Sequence, residues 1–559
     1  MVRVADVIAQ TLKAYDTEYF FCVTGGDHAL WFALADAGIR VINCRSEQGA
    51  VYMADGYARI TGKPGFVYGQ YGPGVANVAG ALADAYWSES PVISLTSSIR
   101  TSSRDRFEYQ EFGQLPMHAS FTKFNRDVHR GDRAAGLLRG AIRAATSSPP
   151  GPAHLEVPAD LLPANVEPEA PYSEAAFGRV PGLRTAPPTE SIRQVVDAVL
   201  GAERPVMIAG TGVLISEAWQ EATALAESMS LPVATSNGGK GAISEDHDLS
   251  LGLIGRYSRK VANDIVREAD LALVIGSRLG GMVTDSYTVP TSSARILHVD
   301  VDPEVLGATY REELSVLGDA KLALRSMLEE VERRGLARGR TVWARETAAR
   351  VADWKDALST VASDAGAPIH PATVMLALRA VLRPDDILAV DTGFVGAWAG
   401  AVYPVGIGRN YLRATGSLGW AFPAALGATL GDESRRVVCV TGDGGFGYHL
   451  PELETAVRAA LPTLILVLNN SSLGFEYITQ QYLWGGRLLS HQTDYERLDY
   501  SQLARDFGAY GERVTNPADL IPAIRRALES GSPAVLDVVV DKEVVAPVTN
   551  FEKSVGRTI

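Results

Sequence analysis

Two short polar clusters carry the sharpest chemistry in this 559-residue sequence. Gly442-Asp443-Gly444 closes the apolar run RVVCVT, and Asn469-Asn470 closes TLILVL. Asn470 follows Asp443 by 27 residues, about the length that a strand, a helix and a returning strand consume. Both clusters therefore reach the C-terminal edge of one sheet. There a carboxylate, an amide oxygen and a backbone carbonyl can surround a hard divalent cation, which typically holds phosphate oxygens too. The glycines admit a close backbone approach, and the helix that follows favours an anion at its N-terminus. A GDG turn alone is an ordinary strand–helix connection. Paired with Asn-Asn at this spacing, it is a metal and phosphate signal.

A second set of residues is less specific by itself. Glu47, in RSEQGAVYMADGYAR, opens a small-residue helix, where an acid also suits the helix dipole. Asp27 and His28, in VTGGDHALWF, follow a strand-like run at a helix start. Asp27 there equally suits an N-cap, and His28 an ordinary half-buried histidine. Gln110, in FEYQEFGQLP, and Glu476, in NNSSLGFEYITQQY, read equally well as helix-surface residues.

The elements that must position these residues repeat along the chain. Apolar runs rich in Val, Ile and Leu, such as GFVYG, PVISLTSS, DLALVIGS and RVVCVTGDG, alternate with helix-length amphipathic segments. They lack strict alternation, as strands covered on both faces do, so the pattern predicts an α/β fold of doubly wound parallel sheets. Pro- and Gly-rich residues 163–188 and the charged helical stretch 333–368 read as linkers. The domains predicted are 1–165, 188–335 and 366–545, with a tail over 546–559. The first and third share a plan of strand, glycine turn, helix and strand. The tail suits a strap, a subunit contact or a frayed end. A net charge of −13 with no long basic run argues against nucleic acid or an anionic membrane as partner. No apolar run approaches the roughly 18 residues of a membrane span. Asp6 and Lys13 interrupt any signal-peptide core, so a cytoplasmic protein is expected. The three cysteines form no CxxC pair, which points away from a disulfide framework and from a cysteine zinc site.

Taken together, GDG…NN, ADGYAR, GPGVAN (72–77) and TGSLGWAFPAALGA (415–428) resemble the motifs of thiamin-diphosphate (ThDP) enzymes. The sequence resembles the acetolactate synthase and benzaldehyde lyase group over nearly its full length. That resemblance implies pyrimidine-binding, central and diphosphate-binding domains in chain order. It implies that Asp443, Asn470 and the Ser472 carbonyl hold Mg²⁺. Gly393, Phe394, Val395, Gly442, Gly444, Gly445, Asn470, Leu473 and Gly474 would surround the diphosphate. Pro73 and Asn77 would flank Glu47, whose carboxyl group would bond the aminopyrimidine and promote the ylide that attacks a carbonyl. The Gly416 carbonyl would receive the cofactor's amino group, and Leu418 would hold the two rings bent. His28 and Gln110 would touch the reacting carbonyl, as in benzaldehyde lyase-like enzymes. Asp27 would do proton work, as in the decarboxylase branch. Glu476 would protonate the enamine, with its acidity weakened if it is buried near the thiazolium.

The sequence also departs from the group. Met282 stands where acetolactate synthases carry a carboxylate-binding arginine, and Thr479 where they carry a tryptophan. The flavin-binding motif is altered to RLGG, so FAD is not favoured. GTG at 210–212 lacks the further glycine of a dinucleotide fingerprint. The expected activity is a 2-hydroxy ketone lyase or carboligase with a small carbonyl substrate. A 2-oxo acid decarboxylase comes second and acetolactate synthase third. A non-catalytic scaffold is disfavoured because Glu47 and Asp443 are intact, and a dehydrogenase because the fingerprint is missing. The group's cofactor lies between subunits, which implies a homo-oligomer, at least a dimer and expected to be a tetramer. Trp31, Phe112, Phe394, Phe475 and Tyr477 are candidates for an apolar pocket.

Overall fold

The computed structural model describes residues 1–167, 170–363 and 366–549. Its strands form three six-stranded sheets and one two-residue antiparallel ladder, Val2–Arg3 with Asn165–Val166. The ladder draws part of the expected linker 163–188 into the first domain. The first sheet comprises Tyr19–Cys22, Arg40–Asn43, Gly65–Gly69, Val92–Ser98, Phe124–Asp127 and Ala153–Pro158. Numbered in chain order, these lie as 2-1-3-4-6-5, paired in parallel. The third sheet comprises Ile387–Val390, Tyr411–Arg413, Val437–Gly442, Leu464–Asn469, Tyr510–Val514 and Ala534–Val539. It has the same order, 2-1-3-4-6-5. The shared plan read from the first and third blocks is therefore a shared topology. The central sheet, from Pro205–Ala209 to Leu314–Leu317, has the order 3-2-1-4-5-6.

The alternation of buried side chains explains why these runs are continuously apolar. In the central sheet Met207, Ala209, Leu271, Leu273 and Ile275 join one core. Val206, Ile208, Ala272 and Val274 join another. Neighbouring residues point to opposite faces of a strand, so both faces are covered, as in a doubly wound sheet.

By its contacts the described chain forms two compact units. One holds Met1–Leu183 together with Ala414–Val437 and Tyr448–Thr463; the other holds the remaining described residues. In the first unit the helix Ala421–Gly431 lies against the helix Glu47–Thr61. A Cβ on Gly56 would strike the Ala424 carbonyl, and one on Gly427 would strike the Met53 carbonyl. Glycine at both positions lets the two backbones approach this closely.

In the second unit Val545, Ala546 and Val548 are buried, the Thr549 amide donates to the Arg256 carbonyl at 3.1 Å, and its hydroxyl bonds Asp285. The first part of the expected tail, to Thr549, is thus tied down. Residues 550–559 lie outside the described residues. Among the described residues no helix is long and apolar enough to cross a membrane.

Candidate active site

In a sheet of order 2-1-3-4-6-5 the strand order reverses between strands 1 and 3. Ligands of open α/β sheets bind beyond the carboxyl ends of the strands at such a switch point. In the first unit these ends lead to Asp27-His28 and to Gly72-Pro73, with Glu47 following strand 2. In the second unit they lead to Gly393 and Asp443, with Asn470 following strand 4.

Glu47 is the first residue of its helix, behind the N-cap Ser46, whose hydroxyl accepts from the Gly49 amide at 3.0 Å. The Asn77 side-chain amide donates to Glu47 at 3.0 Å. Asn77 stands in the helix Pro73–Trp87, which Pro73 begins. A Cβ on Gly74 would come within 3.0 Å of the Glu47 carboxylate, so glycine leaves that oxygen room. Gly72 has φ +88°, and the Gln110 side chain packs 2.7 Å from where its Cβ would stand. Glu47, Pro73, Asn77 and Gln110 are therefore gathered around one glycine turn. Gln110 itself has φ +65° and is part of an irregular loop, not of a helix surface.

His28 begins the helix His28–Asp36, and Asp27 stands at its N-cap without a side-chain capping bond. Asp27 instead is buried and accepts a short hydrogen bond from the Tyr68 hydroxyl, which also lies 3.0 Å from the Ser97 hydroxyl. Burial, with Asp27 beside it, pushes the Tyr68 phenol far up, so it stays a donor. His28 is exposed and lines a cleft of about 460 Å³ with Asp27, Tyr71, Arg100 and Tyr109.

Several positioning residues gave no signal in the sequence. The buried Glu452 accepts from the Arg45 and Ser46 amides, each at 3.1 Å, and so fixes the start of the Glu47 helix. Burial weakens its acidity, while its hydrogen bonds oppose that shift. The Gln70 side chain occupies the space that a Cβ on Gly25 would need. Asp84 accepts from the Thr415 and Ser417 amides at 2.9 and 3.0 Å, on either side of Gly416. Gly416 is exposed and Leu418 half-buried.

The second unit holds the phosphate and metal candidates. Gly393 has φ +100° with open space where a Cβ would stand, and it precedes the helix Phe394–Val402. The neighbouring Thr392 hydroxyl is buried and has no hydrogen-bond partner among the described residues. Asp443 begins the helix that follows strand 3 and is buried. Burial pushes its carboxyl group up to about 7, against amide N–H bonds from Gly444, Ser471 and Ser472 and from its own backbone. The Asn470 side-chain oxygen accepts from the Ser472 amide at 3.0 Å. Gly474 adjoins Asn470 and Phe394, and Gly444 adjoins Leu473. A Cβ on Gly445 would collide with the Asp391 carboxylate. Val395 is buried, and Gly442 has open space beside it. Three helix N-termini thus follow neighbouring strands, beside a buried carboxylate that would gain from a cation and an orphaned hydroxyl. These residues suit a diphosphate with its divalent metal.

The sequence of the chain matches the family described as "Thiamine pyrophosphate enzyme" in three parts. These are the N-terminal TPP binding domain over residues 2–117, the central domain over 192–327 and the C-terminal TPP binding domain over 391–538. The chain belongs to this thiamine pyrophosphate enzyme family. Among the relatives of this ThDP enzyme is the "Probable acetolactate synthase large subunit" of Methanocaldococcus jannaschii. It is 31% identical over 97% of this chain and 93% of its own. The "Sulfoacetaldehyde acetyltransferase" of Castellaniella defragrans is 30% identical over 89% of this chain and 85% of its own. The "Acetolactate synthase isozyme 3 large subunit" of Escherichia coli is 29% identical over 95% and 92%. Acetolactate synthase, third in the order drawn from the sequence, is the name that two of these three relatives carry.

Other expectations for the ThDP enzyme fare differently. Glu476 lies in the helix Gly474–Ile478 and is exposed within its unit. Of the proposed aromatic lining, Phe394 and Phe475 meet edge to face at 5.3 Å. Trp31 instead packs edge-on against Tyr68, and Tyr477 donates to Glu543 at 2.7 Å. The half-buried Met282 offers its carbonyl to the Arg256 amide at 2.8 Å. In the central domain, Cβ atoms on Gly210 and Gly212 would strike the backbone of Gly276. The chain's own packing therefore accounts for these glycines without a nucleotide.

Proposed function

We propose that this ThDP enzyme requires Mg²⁺ and makes or breaks a carbon–carbon bond beside a carbonyl, as a lyase or carboligase. The gathering of Glu47, Asn77 and Gln110 around the Gly72 turn carries this reading. Bound thiamin diphosphate supplies a nucleophilic carbon and an electron sink. Asp443, Asn470 and the Ser472 carbonyl would hold the metal, and the helix N-termini after Gly393, Gly442 and Leu473 would receive the diphosphate. Glu47, steadied by Asn77, holds a proton at its carboxylate for the aminopyrimidine. His28 and Gln110 donate hydrogen bonds to the substrate's carbonyl oxygen. Asp27, tied to Tyr68, is a second carboxylate at the His28 cleft. The working unit would be a homo-oligomer, a dimer at least and a tetramer by expectation.

A second reading, acetolactate formation, is favoured by the names of the relatives. Met282 and Thr479, in place of the expected arginine and tryptophan, weigh against it. A decarboxylase using Glu476 ranks third.

The test is incubation of the Mg²⁺- and ThDP-loaded protein with 2-oxo acids and 2-hydroxy ketones, each with and without an added aldehyde. Products would be resolved by mass and chirality. A chiral hydroxy ketone that rises with acceptor supports the carboligase. A hydroxy acid formed from two pyruvates supports acetolactate formation. Free aldehyde released from a 2-oxo acid and indifferent to acceptor overturns both in favour of a decarboxylase, whereas free aldehyde released from a 2-hydroxy ketone supports the lyase.

A further inference from the structure

One polar network in the first unit is not used by the chemistry above. Asp55 and Asp84 are both buried, one in each of the helices Glu47–Thr61 and Pro73–Trp87. Arg59 lies between them, with a nitrogen 2.7 Å from Asp55 and 3.4 Å from Asp84. The Trp420 indole donates to Asp55 at 2.9 Å, and the Arg59 guanidinium stacks 4.5 Å from the centre of its ring. Asp84 turns outward from this network. One of its carboxylate oxygens accepts from the Thr415 amide at 2.9 Å and the other from the Ser417 amide at 3.0 Å. The Asp84 backbone carbonyl lies 3.4 Å from the Thr415 hydroxyl.

A carboxylate that accepts two backbone amides fixes both the position and the orientation of the peptide between them. That peptide carries Gly416, an exposed residue with open space where a Cβ would stand. A glycine loop without such a hold would sample many conformations. Arg59 pairs with both Asp84 and Asp55, and Trp420 donates to Asp55. We propose that Asp84 is a positioning residue that holds the 415–418 loop, and so Gly416 and Leu418, in register for the rings of the cofactor. This rests on the reading that the loop receives those rings.

The experiment compares the binding of Mg²⁺·ThDP with that of Mg²⁺·inorganic diphosphate, which lacks the rings. Affinities come from calorimetry, and the environment of the bound rings from near-ultraviolet circular dichroism. In Asp84→Asn one of the two amides faces a donor in place of an acceptor. ThDP affinity should fall roughly ten- to a hundredfold, with a changed dichroism band and an unchanged diphosphate affinity. Asp55→Asn breaks the network without touching either amide. It should lower the thermal midpoint and leave the ratio of the two affinities alone. Ser417→Pro removes one amide donor while Asp84 itself is unaltered, so it serves if Asp84→Asn does not fold, and it should reproduce the ring-specific loss. Equal loss of both affinities, or an unchanged ratio in Asp84→Asn and Ser417→Pro, overturns the proposal. Leu418→Ala separates its two layers. If that variant weakens ThDP while the Asp84 and Ser417 variants do not, the loop holds the rings without help from Asp84. If Leu418→Ala also leaves ThDP binding unchanged, the rings are held elsewhere, and the proposal fails along with the reading of the loop.

Discussion

The Asn77 side-chain amide donates to the Glu47 carboxylate at 3.0 Å, joining the first residue of one helix to the second turn of a helix that begins 26 residues later. The bond leaves the other Glu47 oxygen beside Gly74, where only a hydrogen atom stands in the way. Glu47→Gln keeps the shape and removes the group that holds the proton. The expected result is a fall in kcat/KM of about 10²- to 10⁴-fold with ThDP still bound. Steady-state kinetics alongside cofactor titration check this. Wild-type turnover in Glu47→Gln would remove Glu47 from the chemistry.

Asp443 is buried and held by amide N–H groups, with its carboxyl group pushed up by burial. A divalent cation would relieve that cost by keeping the group ionised. Removal of metal with a chelator should therefore abolish activity and raise the proton uptake of the protein near neutral pH, and added Mg²⁺ should restore both. Asp443→Ala should lose metal-dependent ThDP binding in calorimetry.

The central domain holds a fully buried charge cluster. Lys240 reaches Glu245 at 2.5 Å, and Arg259 bonds the other Glu245 oxygen. Lys240 also donates to the Gly400 carbonyl at 3.1 Å and Arg259 to the Ala401 carbonyl at 2.8 Å, at the C-terminus of the helix that Gly393 begins. Two cations there complement the helix dipole. Glu245→Gln would leave both without their counter-ion. It should cost about 3–5 kcal/mol in denaturant unfolding, and Glu245→Asp should cost less.

His449 packs edge-on to Tyr52 and lies 3.4 Å from the Ser46 hydroxyl, beside the start of the Glu47 helix. Burial pushes its pKa down to about 4. The unfolded chain protonates this group near its ordinary value of about 6.5. Between the two values the unfolded state binds the additional proton, so this group's contribution to stability is present above about pH 6.5 and is lost as the pH falls towards 4. Burial also lowers the pKa of the stacked His118 and His154, and these act in the same direction. Denaturant midpoints at pH 7 and pH 5 should drop less in His449→Gln than in the unaltered protein.

Much of the candidate site was legible because it is local in the chain. Asp443 and Asn470 end two adjacent strands, and the length of one strand–helix–strand unit brings them to one edge. Glu47 and Asn77 follow glycine- and alanine-rich patterns that mark closely packed helices. Asp27 left two readings open, because an Asp before a helix is often a cap. Here a tyrosine 41 residues away takes its carboxylate instead.

The sequence by itself determined the strand runs, the three sheets they build and the residue types at their ends. Those follow from side-chain periodicity and from spacing along the chain. Only the tertiary structure decided which backbone amides the buried acids hold. Asp84 meets the Thr415 amide across 331 residues, and Glu452 meets the Arg45 amide across 407. Each bond runs from a side chain to a backbone amide. Every residue but proline carries that donor, so the partner leaves no mark on residue type, and only folding selects it.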